Sequence, residues 1–347
     1  MMDTDEDENH DQEKEGLVEN LHAMVRQELT GKYTCTDYLS MTAWHQNGYQ
    51  LSKKVPSFTH GHNHHAHGTN TRIDEYCREQ IVEWSFRVVD YFRIDREVVA
   101  VSLSFLDRFL ASCRCDRTSF KLAATTTLHL AVKLLYPCKL ADLGILSDLS
   151  RGEFDMSDVS EMESHILHAL SWNLHPPTAI AFASIFLDFF FSSSGMLHVP
   201  MNDLEDISDV SSFFCELAVC DYFFTPMRAS RVALAAILNA LEGMFGPENS
   251  IACEVIRTAQ QLGLMSHPDL SAARNRLWEL YERSEECALH NDKSIDEDSN
   301  AMWHGSIFVK KMSTVSSSPV SVTKPCHSAT DFAYTKQHAR MLRNESW

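Results

Sequence analysis

From Phe120 to Tyr136 the chain reads FKLAATTTLHLAVKLLY, with no charged residue between Lys121 and Lys133. A helix with no polar face cannot lie on a surface, so this segment must be wrapped by other helices. It is expected to be the central helix of a bundle, stopped by Pro137. The rest of the chain has to supply the surrounding layer.

The flanking patterns do so. Residues 71–175 read as five helices with short connections. The first, about Asp74 to Phe92, carries Ile81, Trp84, Val88 and Tyr91 at helical spacing. The second follows Asp95 as N-cap and carries Val98, Val101, Phe105 and Phe109. The third is the charge-free segment. A short fourth covers about Ala141 to Leu149. The fifth begins near Asp155 and aligns Met162, Ile166 and Leu170. Pro176-Pro177 ends the set. Residues 176–286 repeat the theme, with helices at about 178–191, 204–224, 227–244, 247–264 and 268–282. The fold class is therefore all-α: two consecutive five-helix bundles, preceded by an N-terminal helical segment at 17–55. In that segment Leu17, Leu21, Met24 and Leu29 are expected to share a face. Residues 1–16 read as an acidic disordered tail and 287–347 as a Ser/Thr-rich disordered tail.

Composition removes several function classes. The 347 residues carry a formal net charge of -18, which argues against a broad nucleic-acid footprint. Only 12 are glycine, too few for phosphate-cradling loops or a turn-rich β fold. The start, MMDTDEDENHDQEKE, is acidic, unlike a signal or transit peptide. The longest apolar stretch, Ala179 to Phe191, is too short for a bilayer and contains Asp188, so no membrane association is expected. The 10 cysteines sit mostly in apolar runs, which suggests free thiols in a reducing compartment. Cys113 and Cys115 form a lone C-x-C without a second ligand pair, so no metal is expected there. The run HGHNHHAHG at 60–68 lies in a linker, residues 56–70. It is either a metal-binding tract or a solvated linker; no interleaved cysteine or carboxylate fixes a geometry.

No constellation for chemistry stands out. There is no G-x-S-x-G, Walker loop or H-E-x-x-H. His129, midway along the central helix, reads as a satisfied core histidine. No cofactor and no enzymatic activity are expected. The residues alone lead to a helical interaction module.

A resemblance sharpens this. CREQIVEWSFRVVDYFRIDREVVAVSLSFLDRFL, residues 77–110, resembles the opening of a cyclin box, through Arg78, Val82, Glu83, Trp84 and Leu106-Asp107-Arg108-Phe109-Leu110. EMESHILHALSWNLHPPT, residues 161–178, is similar to the fifth helix of that box and its proline-bearing exit. RASRVALAAILNALEG, residues 228–243, resembles the cyclin C-terminal lobe more loosely. LSRGEF and HPPT look most like the cyclin group expanded in diatoms. The resemblance places the cyclin box at 71–175 and the C-terminal lobe at 176–286. It implies a regulatory subunit that binds and allosterically activates a cyclin-dependent serine/threonine kinase in cell-cycle control, as a heterodimer in nucleus and cytoplasm.

The family's kinase-binding lysine and glutamate match Lys133 and Glu163, with Leu134 and Leu135 beside the lysine where relatives usually carry an acidic pair. Arg78 and Asp107 match a structural ion pair. The substrate-docking patch matches Cys77, Gln80, Ile81, Trp84, Phe120 and Lys121, and Gln80 and Lys121 weaken it for Arg-x-Leu substrates. Two alternatives stay open. One is a transcription-associated factor built from cyclin folds, which the acidic balance disfavours. The other is a cyclin-like scaffold that no longer activates a kinase.

Ser318-Pro319, in the polar stretch STVSSSPVSVTKP, is a candidate phosphosite for a proline-directed kinase. Phosphate would add about -1.5 to -2 charge near Lys310, Lys311 and Lys324 and create a recognition element for turnover. The expected outcome is phosphate at Ser318 after incubation of the purified complex with ATP, read by mass spectrometry. Ser318→Ala should then outlive the wild type in cells; equal half-lives would remove the role.

Overall fold

The computed structural model describes residues 4–40, 57–58, 73–139, 154–191, 199–247, 249–261 and 268–283. The expected helix at 141–149, the histidine run, the tail and Ser318 lie outside the described residues. What is described is all-α apart from a two-residue parallel pairing, β1 (Ser57–Phe58) with β2 (Arg114–Cys115). The chain forms two compact units. Among the described residues, those within 35–176 make up one unit, and those within 4–34 and 177–283 the other.

The first unit holds α2 (Glu75–Tyr91), α3 (Glu97–Ser112), α4 (Arg117–Leu135) and α5 (Met156–Ala169). Its helices begin where side-chain oxygens satisfy otherwise unpaired backbone N–H groups. Asp74 accepts from Cys77 N–H, and Asp116 from Ser119 N–H. Asp155 and Asp158 cap reciprocally at the start of α5. Every residue of α4 from Leu122 to Leu128 is buried, so this stretch of the helix is enclosed on all sides. Its three threonines are tolerated there because each hydroxyl bonds back to its own helix, Thr125 to Lys121 O, Thr126 to Leu122 O and Thr127 to Ala124 O. Burial is shared with α3, which packs on α4 and is buried without interruption from Phe105 to Leu110.

In the second unit, α8 (Ala229–Phe245) is the hub. Ala233, Ala235, Ala236 and Ala240 are fully buried and let α6 (Ala179–Phe191), α7 (Met201–Cys220) and α10 (Pro268–Arg283) approach closely. Phe182, Phe186 and Phe190 form one stripe of α6 in this core, with ring centroids 5.7 and 6.1 Å apart. Gly246 closes α8 at φ 86°, a conformation that favours glycine. α9 (Ser250–Gln261) buries Val255, Thr258 and Ala259.

α1 (Thr4–Leu29) corrects two expectations. The acidic run expected to be a disordered tail through residue 16 is helical from Thr4. Glutamates are good helix formers, and acidic residues near a helix N-terminus complement its dipole. The helix belongs with the unit containing α6 to α10, against which Val18, Leu21, Met24 and Val25 pack. The expected apolar face also included Leu29, which is 54% exposed, whereas Glu28 is buried. Glu28 stands seven residues, almost two whole turns, after Leu21 and so lies directly in line with it. It meets the N-terminus of α8, where its carboxylate accepts from Ser230 N–H at 2.9 Å and from the Ser230 hydroxyl at 2.6 Å. The negative charge suits the positive end of a helix.

Glu28→Ala leaves a buried N–H and hydroxyl without their acceptor, at a cost of about 1–3 kcal/mol. Urea unfolding of the variant should show that loss, with α1 becoming the first site of limited proteolysis. An unchanged midpoint and cleavage pattern would mean that the apolar face alone docks α1.

Candidate docking site

The first unit is fixed internally by a buried ion pair. Arg78 on α2 grips Asp107 on α3 with two parallel hydrogen bonds, Nε to Oδ1 at 3.0 Å and Nη2 to Oδ2 at 2.9 Å. Both side chains are nearly sealed, 4% and 6% exposed. The Tyr38 hydroxyl donates a third bond to Asp107 Oδ1 at 2.9 Å. Sequence reasoning had no access to Tyr38, whose partner lies 69 residues away. Cys35 sits nearby, and burial pushes its thiol above the ordinary range, with Asp107 adding to the shift.

A second ion pair of the same chemistry lies in a different setting. Lys133, in the last turn of α4, donates to Glu163 of α5, with Nζ 2.7 Å from Oε1. The lysine side chain is 50% exposed and the glutamate 16%. Such a pair adds about 0–1 kcal/mol to stability. An ammonium has three donors and a carboxylate several acceptor sites, and the mutual bond uses one of each. One turn before Lys133 is His129. It is half-buried, and its Nδ1 has no hydrogen-bond partner, unlike the satisfied core histidine expected from sequence. Burial pulls its pKa below the ordinary range, Glu163 opposing and Lys133 adding. Beside the pair, Leu134 is half-buried and Leu135 is 39% exposed.

The chain leaves α5 through an unusual turn. Ser171 and Trp172 are both left-handed, at φ 49° and 59°, without a glycine. Left-handed backbone at residues with side chains costs about 1–3 kcal/mol each. The turn leaves the Trp172 indole 64% exposed. In the sequence Trp172 marked a motif and carried no role; its exposure depends on backbone angles that periodicity does not report.

The six expected substrate-docking residues do not form an apolar surface. Ile81, Trp84 and Phe120 are core residues, each at most 6% exposed. Cys77, Gln80 and Lys121 are half-buried. Arg117 stands close enough to influence both Asp74 and Cys77, so this end of α2 is polar. Cys113 and Cys115 are free, and burial pushes the Cys115 thiol up to about 12. Among the described residues no group of three or more His, Cys, Asp or Glu is placed to hold a metal.

The first unit is thus a helical bundle with a sealed ion pair inside and a solvent-facing ion pair bridging two of its helices. Residues 49–175 match the family model for the cyclin N-terminal domain. Over 167 residues it is 26% identical to the G2/mitotic-specific cyclin-B3 of Mus musculus, covering 47% of this chain and 11% of that protein. It is 34% identical to the G1/S-specific cyclin-E of Caenorhabditis briggsae, covering 32% of this chain and 21% of that one. With the G2/mitotic-specific cyclin S13-6 of Glycine max it shares 27% identity, over 55% and 39% of the two chains. The alignments thus span well under half of these relatives' own lengths. A viral cyclin from herpesvirus saimiri matches at TM-score 0.44 and 17% identity, over 61% of this chain and 90% of that one.

Removing one member of the sealed pair strands the other. Arg78→Met or Asp107→Leu alone should cost about 3–5 kcal/mol in urea unfolding, and the two together much less than the sum. Tyr38→Phe should cost about 1.5–3 kcal/mol, the range for a bond to a charged group. Single variants within 1 kcal/mol of wild type, on the order of ordinary surface changes, would contradict the pair's role.

Proposed function

We propose that this chain is a regulatory subunit that binds a cyclin-dependent serine/threonine kinase and activates it allosterically, with no catalytic step of its own. The observation that carries this reading is the Lys133–Glu163 pair. It bridges α4 and α5 at the surface, contributes little to stability, and retains donor and acceptor capacity for a partner's backbone. The match of residues 49–175 to the cyclin N-terminal domain model supports the partner class, since both residues fall within it. Leu134, Leu135 and Trp172 add apolar contact area of the kind that anchors interfaces.

The mechanism is a population shift. An active kinase needs its β3 lysine paired with a glutamate on a mobile helix. A partner that contacts that helix only in the paired arrangement raises the occupancy of that arrangement by its differential affinity. Phosphoryl transfer then belongs entirely to the kinase. The heterodimer would act in cell-cycle control, in nucleus and cytoplasm. Burial of Ile81, Trp84 and Phe120 supports poor recruitment of substrates through an apolar docking motif on α2.

A second reading, a scaffold that binds a kinase without activating it, is favoured by one observation. Leu134-Leu135-Tyr136 offers no acidic side chain beside Lys133, so polar contacts there are fewer.

Lys133→Ala with Glu163→Ala should abolish co-purification of the kinase while unfolding free energy stays within about 1 kcal/mol of wild type. A double variant that still activates the kinase fully would refute the docking role. Wild-type chain that binds kinase without raising its activity towards a peptide substrate would establish the scaffold instead.

A further inference from the structure

The turn after α5 is held from inside the bundle. Arg108 of α3 is 7% exposed, and its Nη1 and Nη2 both donate to the Asn173 carbonyl at 3.1 Å. Its Nε donates to Ser104 O at 3.0 Å, and its guanidinium carbon lies 5.7 Å from the Phe105 ring centroid. The fork is therefore fixed on its own helix before it reaches the turn. Asn173 closes the other side: its side-chain amide donates to Leu170 O at 3.0 Å and to Ser171 O at 3.2 Å. Between these anchors stand the two left-handed residues, Ser171 and Trp172. Backbone held there without glycine relaxes unless its surroundings over-determine it. The consequence of holding it is an exposed tryptophan, which leaves apolar area in water.

We propose that Arg108 is a positioning residue for partner binding: by clamping the Asn173 carbonyl it keeps the Ser171–Trp172 turn left-handed and holds the Trp172 indole outward as an anchor for the kinase. The inference rests on the docking reading given above. Trp172 follows by three residues the end of the helix that carries Glu163, and Glu163 lies about 9 Å along that helix from its end. Arg108 itself touches no partner. A lysine in its place keeps the charge but offers a point donor instead of a fork.

The test is a double-mutant cycle on affinity for a purified cyclin-dependent kinase, with wild type, Arg108→Lys, Trp172→Ala and the double variant. Trp172→Ala should weaken binding at least about tenfold, as truncating an aromatic anchor does. Arg108→Lys should weaken it by a similar factor, but by less than about twofold once Trp172 is gone, because it acts through that side chain. A merely structural arginine would give independent, multiplying effects, and that result overturns the proposal. So does full affinity in Arg108→Lys. Should Arg108→Lys not fold, Asn173→Ala replaces it in the cycle, with the same non-additivity expected. Hydrogen exchange gives a readout independent of the kinase: the amides of residues 171–173 should exchange faster in Arg108→Lys and Asn173→Ala. A wild-type chain that binds no kinase refutes the docking reading; unchanged exchange at 171–173 refutes the clamp.

Discussion

A carboxylate sealed from water has to be answered on every side, and the answer given to Asp107 organises the first unit. Its two oxygens take two bonds from Arg78 and one from Tyr38. Those bonds come from α2 and from the segment after α1, so one side chain of α3 fixes the placement of two other pieces of chain. The neighbouring residue, Arg108, reaches the turn after α5. Phe105, Leu106 and Phe109 fill the core between them. Five consecutive residues of α3 thus tie nearly every part of the unit to one another. Apolar packing alone would tolerate sliding of these helices, because it is non-directional. The forked bonds of two arginines do not tolerate it.

The two ion pairs of this unit separate stability from recognition. Arg78–Asp107 is enclosed, so losing either partner is costly although the pair as a whole need not stabilise the fold. Lys133–Glu163 is solvent-facing, so losing it costs the fold little. The same chemistry therefore yields a structural lock in one place and an available pair of polar groups in the other. Burial differs, and so does geometry: the guanidinium makes a forked pair of bonds where the ammonium makes one. The proposed function draws on the second pair because the first is sealed from any partner.

The degree to which sequence showed this varies with the physics involved. The charge-free run around Leu122–Leu128 announced an enclosed helix, since no surface position is compatible with it. The equal burial of α3 does not follow from periodicity alone, because Asp107 and Arg108 count as polar until their partners are known. Arg78 and Asp107 were named through resemblance; Tyr38 could not be, as a hydroxyl acquires its partner only through the fold. Glu28 shows the same limit: hydrophobicity placed Leu29 on the docking face, while helix geometry and the electrostatics of a helix N-terminus put Glu28 there. Trp172 was visible as a letter, but its display depends on two left-handed residues without glycine, which no propensity scale would select.

The hydrocarbon of Leu134 and Leu135 beside Lys133 has a consequence for how a partner would be held. Acidic groups at an interface mostly accelerate encounter and enforce orientation, whereas buried aromatic and aliphatic groups mostly slow dissociation. Leu135 and Trp172 are exposed apolar side chains, and partner contacts made through them fall in the second category. The long-range field of a chain with net charge -18 still acts on approach, and it favours a partner that presents basic groups. On the proposed reading, raising salt should slow association while leaving dissociation nearly unchanged, because the field is screened and the apolar contacts are not. Stopped-flow binding at two ionic strengths reads both rates. A salt effect confined to dissociation would mean instead that the Lys133–Glu163 contacts, and not the hydrocarbon around them, hold the complex together.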